Sequence, residues 1–366
     1  MNTALIEQIT ELRQRLHACP ELSGMEKQTL KTLYDYLSAN TRLSLELRDG
    51  WLHAVHFEGD GLPAIGIRAD MDAIPAGGGG ARHGCGHDGH SAILCGLAAL
   101  LEGQQVGRNI HLIFQPAEET GEGAKLICDT WPELDALDAV YALHNIPGFP
   151  KGAILMRRSC FACASRGLIV DVQGHPAHAA YPEEGANPTS LLSRLALAIN
   201  GMIEDILDGD DRLLMSTAIG MRIGGENFGL SASEGRLCLT LRGHRQADID
   251  ALSARIRTFA GDGCAAQGMC CRFEDRDVFT DTTNDDAVFA DAEARFRAAG
   301  LPVQYLEVPM RWSEDFGWFL KRRPGLYFGI GSGEDWPGLH TEAFCFDDAL
   351  IPVSLNALSA LCGIDA

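Results

Sequence analysis

Apolar positions along the chain change period several times, and each change marks a new element. Leu5, Ile9, Leu12 and Leu16 recur at helical spacing over residues 4–19, and Pro20 ends the run. A second helix is expected through Leu30, Leu33 and Leu37. Alternation takes over at 43–47 and from Trp51 to Phe57, and a Gly-Asp-Gly turn at 59–61 precedes the buried strand Ala64 to Ala69. Ser91 to Leu101 is apolar nearly all round, the pattern of a helix enclosed in a core. Two more strands are expected at Asn109 to Phe114 and Ala139 to Leu143. The strands end in polar residues: Asp70-Met71-Asp72, Gln115-Pro116-Ala117-Glu118-Glu119 and His144-Asn145. Strands alternating with helices, with polar groups gathered at strand C-termini, describe an α/β sheet whose site lies along that edge.

The pattern changes between about 165 and 275. Strand 167–173, helix 188–206, strands 214–223 and 235–242, helix 246–260 and strand 269–274 follow in order, with Leu237, Leu239 and Leu241 alternating cleanly. The order βαββαβ is the ferredoxin-like arrangement. Helices at 285–299 and 347–362 and a strand at 325–330 then return to the earlier style. The expected organisation is a discontinuous α/β domain, residues 1–164 and 276–366, interrupted by a compact α+β insert at 165–275.

A chain of 366 residues exceeds one typical core, which agrees with two domains. The net charge of −20 leaves no basic stripe to neutralise phosphates, so nucleic acid is excluded as a partner. No run of about 18 apolar residues is present, and the N-terminus lacks the basic and apolar regions of a signal peptide. A cytoplasmic location is therefore expected, with no membrane partner. Twelve scattered cysteines, among them Cys95, Cys128 and Cys238 in apolar or strand-like contexts, read as reduced core residues.

Cys85 is the exception. It lies in Arg82-His83-Gly84-Cys85-Gly86-His87-Asp88-Gly89-His90, where five of nine residues can bind a metal. A thiolate, imidazoles and a carboxylate this close together suit zinc or a similar first-row ion. Glu118-Glu119, His144 and His340 offer further ligands from strand ends or loops. An adjacent Glu pair is ordinarily solvated surface, and a lone His is ordinarily structural. Here four such segments coincide at strand ends, which favours a metal site.

These residues also resemble a known family. Arg13-Gln14-Arg15-Leu16-His17 with Pro20-Glu21-Leu22-Ser23, Arg68 to Pro75, the cysteine stretch, Phe114 to Glu119, and Leu143-His144-Asn145 follow one another as motifs. Gly174 to Pro182, Ser313-Glu314-Asp315-Phe316 and Leu339-His340-Thr341 continue the series. In this order they resemble the dimetal amidohydrolases of the aminoacylase/carboxypeptidase superfamily, which includes hippurate hydrolases, N-acyl-amino-acid deacetylases and auxin-conjugate hydrolases. The resemblance implies a zinc-peptidase-like catalytic domain with a ferredoxin-like lid or dimerisation insert. It implies two divalent ions, manganese or zinc, held by Cys85, His87, Glu119, His144 and His340, with Glu118 as general base. His178, possibly acting from a partner subunit of a homodimer, together with Asn227 and Arg242, would bind substrate.

Asp72, Asp88 and His90, with His83, are expected behind the ligands, orienting them. Gly329-Ile330-Gly331-Ser332-Gly333 is expected to offer backbone N–H groups to a substrate carboxylate near His340. Only Ala-Gly-Gly-Gly-Gly-Ala-Arg separates Pro75 from His83, shorter than the family's usual loop. An acidic surface repels anionic substrates at long range, and metal and Arg charges in the cleft would offset this. The expected activity is amide hydrolysis of a small N-acyl amino acid. The alternatives are a dipeptidase or carboxypeptidase of the same superfamily, and a catalytically silent metal- or amino-acid-binding protein.

Overall fold

The protein is described by a computed structural model covering residues 2–364. It divides into two compact units: one holds the chain up to Phe161, Thr282–Pro309 and the chain from Glu314 onward, and the other holds Ala162–Asp281 and Met310–Ser313.

The first unit is built on an eight-stranded sheet in the order Ser44–Arg48, Trp51–His56, Asn109–Gln115, Ala64–Asp70, Ala139–Pro147, Gly325–Gly333, Ile154–Met156 and Val303–Tyr305. The four central strands pair in parallel. Their C-terminal ends therefore lie along one edge. Trp51–His56 runs antiparallel to Asn109–Gln115 and closes one side. Three helices, Thr3–His17, His87–Leu101 and Ile351–Cys362, share the core with this sheet. His87–Leu101 is buried almost throughout, as its unbroken apolar sequence requires. Gly96 lets its neighbours close in, since a Cβ there would stand 2.9 Å from Leu355 and 3.1 Å from Ile9.

Among the boundaries that differ from the sequence expectation, two carry site residues. The strand beginning at Ala139 continues to Pro147, because Gly325–Gly333 pairs with it past Leu143, setting Gly329 against His144 and Ile330 against Asn145. The core helix begins at His87 rather than Ser91. Gly86 caps it with φ 102°, and a Cβ at that position would lie 2.2 Å from Asn145 Oδ1. The helix Gly123–Thr130 and the short strands Ile154–Met156 and Val303–Tyr305 carried no period long enough to read.

The second unit is a four-stranded antiparallel sheet ordered Leu214–Ile223, Glu234–Gly243, Ala164–Gln173 and Cys270–Phe279. Helices Thr189–Leu207 and Gln246–Ala266 complete it. Leu168, Val170, Val172, Leu237, Leu239 and Leu241 alternate onto the face that packs with Leu192, Leu195, Ile249 and Leu252 of those helices. Strand order and connectivity are those of the ferredoxin-like fold.

Gly86→Ala should lower the free energy of unfolding by roughly 2–3 kcal/mol, from left-handed strain plus the clash with Asn145. Urea denaturation of both proteins measures it; a difference under about 0.5 kcal/mol, within ordinary surface variation, would show that the turn relaxes freely.

Candidate metal centre

The parallel edge of the first unit gathers the donors. Asp72 follows the strand Ala64–Asp70 by two residues and is fully enclosed. Its Oδ1 lies 3.0 Å from His87 Nδ1, and its Oδ2 accepts from Ser23 Oγ at 2.7 Å and from the Glu119 amide at 3.0 Å. A proton on Nδ1 shared with the carboxylate leaves the Nε2 lone pair of His87 facing the centre. That Nε2 is buried and has no hydrogen-bond partner.

Glu118 and Glu119 diverge because the backbone reverses just before them. Ala117 adopts φ 52°, and its amide donates to the buried Glu26 Oε1 at 2.8 Å. Glu119 joins Cys85 and His340, with His340 Nε2 3.4 Å from Glu119 Oε2. Glu118 also reaches His87: Glu118 Oε2 and Glu119 Oε1 each lie 3.9 Å from His87 Nε2, and the three donor atoms stand within 4.8 Å of one another. Burial pushes the Glu118 carboxyl well above the usual carboxylate range, with Glu314, Glu119 and Asp315 adding to the rise and His87 opposing it.

Cys85 Sγ lies 3.5 Å from His144 Nε2, and His144 Nδ1 donates to its neighbour's carbonyl, Asn145 O, at 2.7 Å. Cys85, His87 and His144 bring their donor atoms within 4.8 Å of one another, and so do Cys85, Glu119 and His340. Cys85 belongs to both groups. The donors fit two divalent ions on three counts. The set mixes sulfur, nitrogen and oxygen as first-row ions prefer. His87 Nε2 and Glu119 Oε1 are buried polar atoms without a hydrogen-bond partner among the described residues, standing 3.9 Å apart. Burial and Glu119 raise the Cys85 thiol well above its ordinary pKa, so a cation is what would hold it as thiolate.

The remaining expected residues are placed as follows. Both ring nitrogens of His90 are engaged, Nδ1 with Asp70 and Nε2 with Asn145 Oδ1, each at 2.6 Å. Its ring stands edge-on to His144 with centroids 4.6 Å apart. Asp88 meets His17 at 2.7 Å and Arg13 at 3.5 Å, tying the first helix to the helix that carries His87. His83 is buried, its ring 6.1 Å from that of His17. His178, Asn227 and Arg242 belong to the second unit. There His178 Nδ1 accepts from the Ala180 amide, Asn227 Oδ1 accepts from the Gly229 amide, and Arg242 donates to Arg311 O and Ser313 Oγ.

One expectation is corrected. Gly331 and Gly333 donate their amides to Ala153 O and Phe149 O, both at 2.9 Å, so these N–H groups are used inside the sheet rather than offered to a substrate. A Cβ on Gly331 would stand 2.1 Å from Pro150 O, so these glycines serve close backbone approach.

The sequence reading assigned no role to the network beneath the donors. Arg68 donates to Gln115 Oε1 (2.7 Å), Asp70 Oδ2 (2.6 Å), Glu314 Oε1 (2.9 Å) and Asp315 Oδ1 (2.7 Å), all buried. A signal was available: an arginine inside the apolar strand Ile65-Gly66-Ile67-Arg68-Ala69 demands buried carboxylates, and Glu314-Asp315 supplies two. Glu26 carried no comparable signal, because nothing in its neighbourhood marks it as enclosed.

Such a donor cluster, at the C-terminal edge of a largely parallel sheet, belongs to the metal-dependent hydrolases. The sequence model of Peptidase family M20/M25/M40 matches residues 66–362, and the chain belongs to this family. It is an enzyme acting on amide bonds. N-acetyldiaminopimelate deacetylase of Shouchella clausii is 28% identical over 370 residues, covering 96% of each chain. N-acetyl-L-cysteine deacetylase of Bacillus subtilis is 28% identical, over 95% of this chain and 86% of its own. Thermostable carboxypeptidase 1 of Saccharolobus solfataricus is 26% identical, over 96% and 94%. Among solved structures, a dinuclear metal-binding peptidase from the M20 family of Bacillus subtilis shares the fold, with a TM-score of 0.82 at 22% identity over 100% of this chain and 99% of that one.

Elemental analysis of chain stripped with chelator and reloaded with manganese, zinc or cobalt should find up to two ions per chain. Uptake of none would refute the centre.

Proposed function

We propose that the protein deacylates small N-acyl amino acids, with deacetylation as the principal reaction. The observation that carries this is a buried carboxylate beyond those of the two ion groups: Glu118 Oε2 stands 3.9 Å from His87 Nε2, as Glu119 Oε1 does, while only Glu119 also groups with Cys85 and His340. A protein that only binds needs no such base. Full-length similarity to two enzymes named as N-acetyl-amino-acid deacetylases supports the substrate class.

Cys85, His87, Glu119, His144 and His340 would hold two divalent ions, manganese or zinc, which when bound polarise a carbonyl and lower the pKa of water. Glu118 accepts the proton of the attacking water and returns it to the leaving amine. Asp72 keeps His87 in one tautomer and holds the Glu119 backbone still, so the base and the ligand beside it keep their separate directions. His178, Asn227 and Arg242 bind the substrate's carbonyl or carboxylate, with His178 acting from the partner of a homodimer. The edge strand Leu214–Ile223 of the second unit, which exposes Ile219 and Met221, suits pairing with a second copy. The scattered spacing of the twelve cysteines, which forms no disulfide framework in the sequence, supports a reducing, cytoplasmic location. No described helix is long and apolar enough to cross a membrane.

A carboxypeptidase or dipeptidase activity is the second reading, favoured by the similarity to thermostable carboxypeptidase 1. A panel of acetyl-, benzoyl- and aminoacyl-amino acids, assayed with manganese and with zinc, separates the two. Preference for acetyl and benzoyl compounds is expected; preference for dipeptides would transfer the assignment, and silence throughout would remove it. Glu118→Gln should reduce kcat by at least about 100-fold, the usual scale of general-base loss, with metal content nearly intact. Loss of metal instead would mean that Glu118 and Glu119 exchange roles.

A further inference from the structure

His340 is unusual among the donors. Like Cys85 and Glu119 it lies outside the strands and helices, but its side chain is 54% exposed and its backbone is left-handed at φ 65°. That conformation costs on the order of 1–3 kcal/mol in a residue with a Cβ, so the surroundings must impose it. Bonds within the segment, such as Thr341 N and Oγ1 to Gly338 O, fix its shape but not its place. Its place is fixed from the cysteine stretch. The His340 amide donates to Gly84 O at 2.8 Å. Arg82 then donates Nη2 to His340 O at 2.5 Å and Nη1 to Thr341 O at 2.9 Å. One planar guanidinium thus grips the two carbonyls that follow the His340 side chain, a fork that a lysine does not reproduce.

The approach is built for that grip. Ala81–Arg82 pairs back on Ile74–Pro75 as a small hairpin, with Gly78, Gly79 and Gly80 turning the chain at positive φ. The guanidinium then lies over Gly84, where a Cβ would stand 2.6 Å from Arg82 Nη1 and 2.5 Å from Ile74 Cδ1. A glycine at 84 is therefore a condition of the arginine's position.

We infer that Arg82 is a positioning residue for His340, and that it sets the affinity of the ion shared by Cys85, Glu119 and His340 without setting that of the ion shared by Cys85, His87 and His144. The inference rests on the proposed ligand role of His340. Arg82 touches neither substrate nor ion; it acts through the backbone that carries the imidazole.

The test is a competition titration of metal-free chain with zinc ions against a chromophoric chelator. Wild type should take up two ions. Arg82→Met keeps the stem and removes the donors; it should weaken one ion by about 10–100-fold, the scale seen when a group behind a ligand is lost, and leave the other unchanged. Arg82→Lys, which keeps the charge but not the fork, should give the same selective shift. Excess zinc should restore the second ion in each variant. Two ions at wild-type affinity in Arg82→Met would overturn the inference, and so would equal weakening of both. His340→Ala separates this failure from that of the underlying reading. Loss of one ion in His340→Ala with none lost in Arg82→Met would refute the positioning role alone; two ions retained in His340→Ala would refute the ligand role, and the inference with it.

Discussion

Arg68 is the group on which the catalytic edge depends. Its guanidinium is enclosed in the central strand Ala64–Asp70, and a lone buried cation would cost several kcal/mol of desolvation. It is tolerable only because Asp70, Glu314 and Asp315 close around it while Gln115 takes the remaining N–H. Those partners come from two adjacent strands and from a segment 246 residues away in sequence. Removing Arg68 would leave three carboxylates buried together beside Glu118. Burial first, and then Glu314 and Asp315 of this network among others, raise the pKa of Glu118.

Above that network, left-handed backbone at two non-glycine residues lets side chains converge from segments that would otherwise miss. Ala117 turns the chain so that Glu118 and Glu119 part, and His340 turns a loop so that its imidazole faces Glu119. Both turns are held by hydrogen bonds from outside their own segment, Ala117 by Glu26 and His340 by Arg82 and Gly84. Strain of this kind concentrates where geometry matters more than local comfort.

Much of this was legible in the sequence. Periodicity located the long helices, the central strands and the ferredoxin-like order, because each buries one continuous face whose spacing is written in Leu, Ile and Val. The donor residues stood out by chemistry and by their place after apolar runs. What stayed hidden depended on tertiary partners. Pairing with Gly325–Gly333 lengthens the strand beyond Leu143, and nothing local to His144 announces that. The glycines at 329–333 looked like a ligand-facing loop, yet their amides are consumed by the sheet. Nothing local to Glu26 or Arg82 announces the distant amide or carbonyls they meet.

The order of strands in the large sheet bears on how the centre is assembled during synthesis. Five adjacent strands, from Ser44–Arg48 to Ala139–Pro147, come from the first 147 residues and need no later strand between them. Cys85, His87 and His144 are all present once that half-sheet has formed. His340 arrives after the second unit has been made, on the order of 10–40 s later at ~5–20 residues per second. The strand segment that carries His144, however, pairs only with the later Gly325–Gly333, so that side chain gains its strand partner late as well. His340 in turn is fastened to the earlier-made cysteine stretch through Arg82 and Gly84.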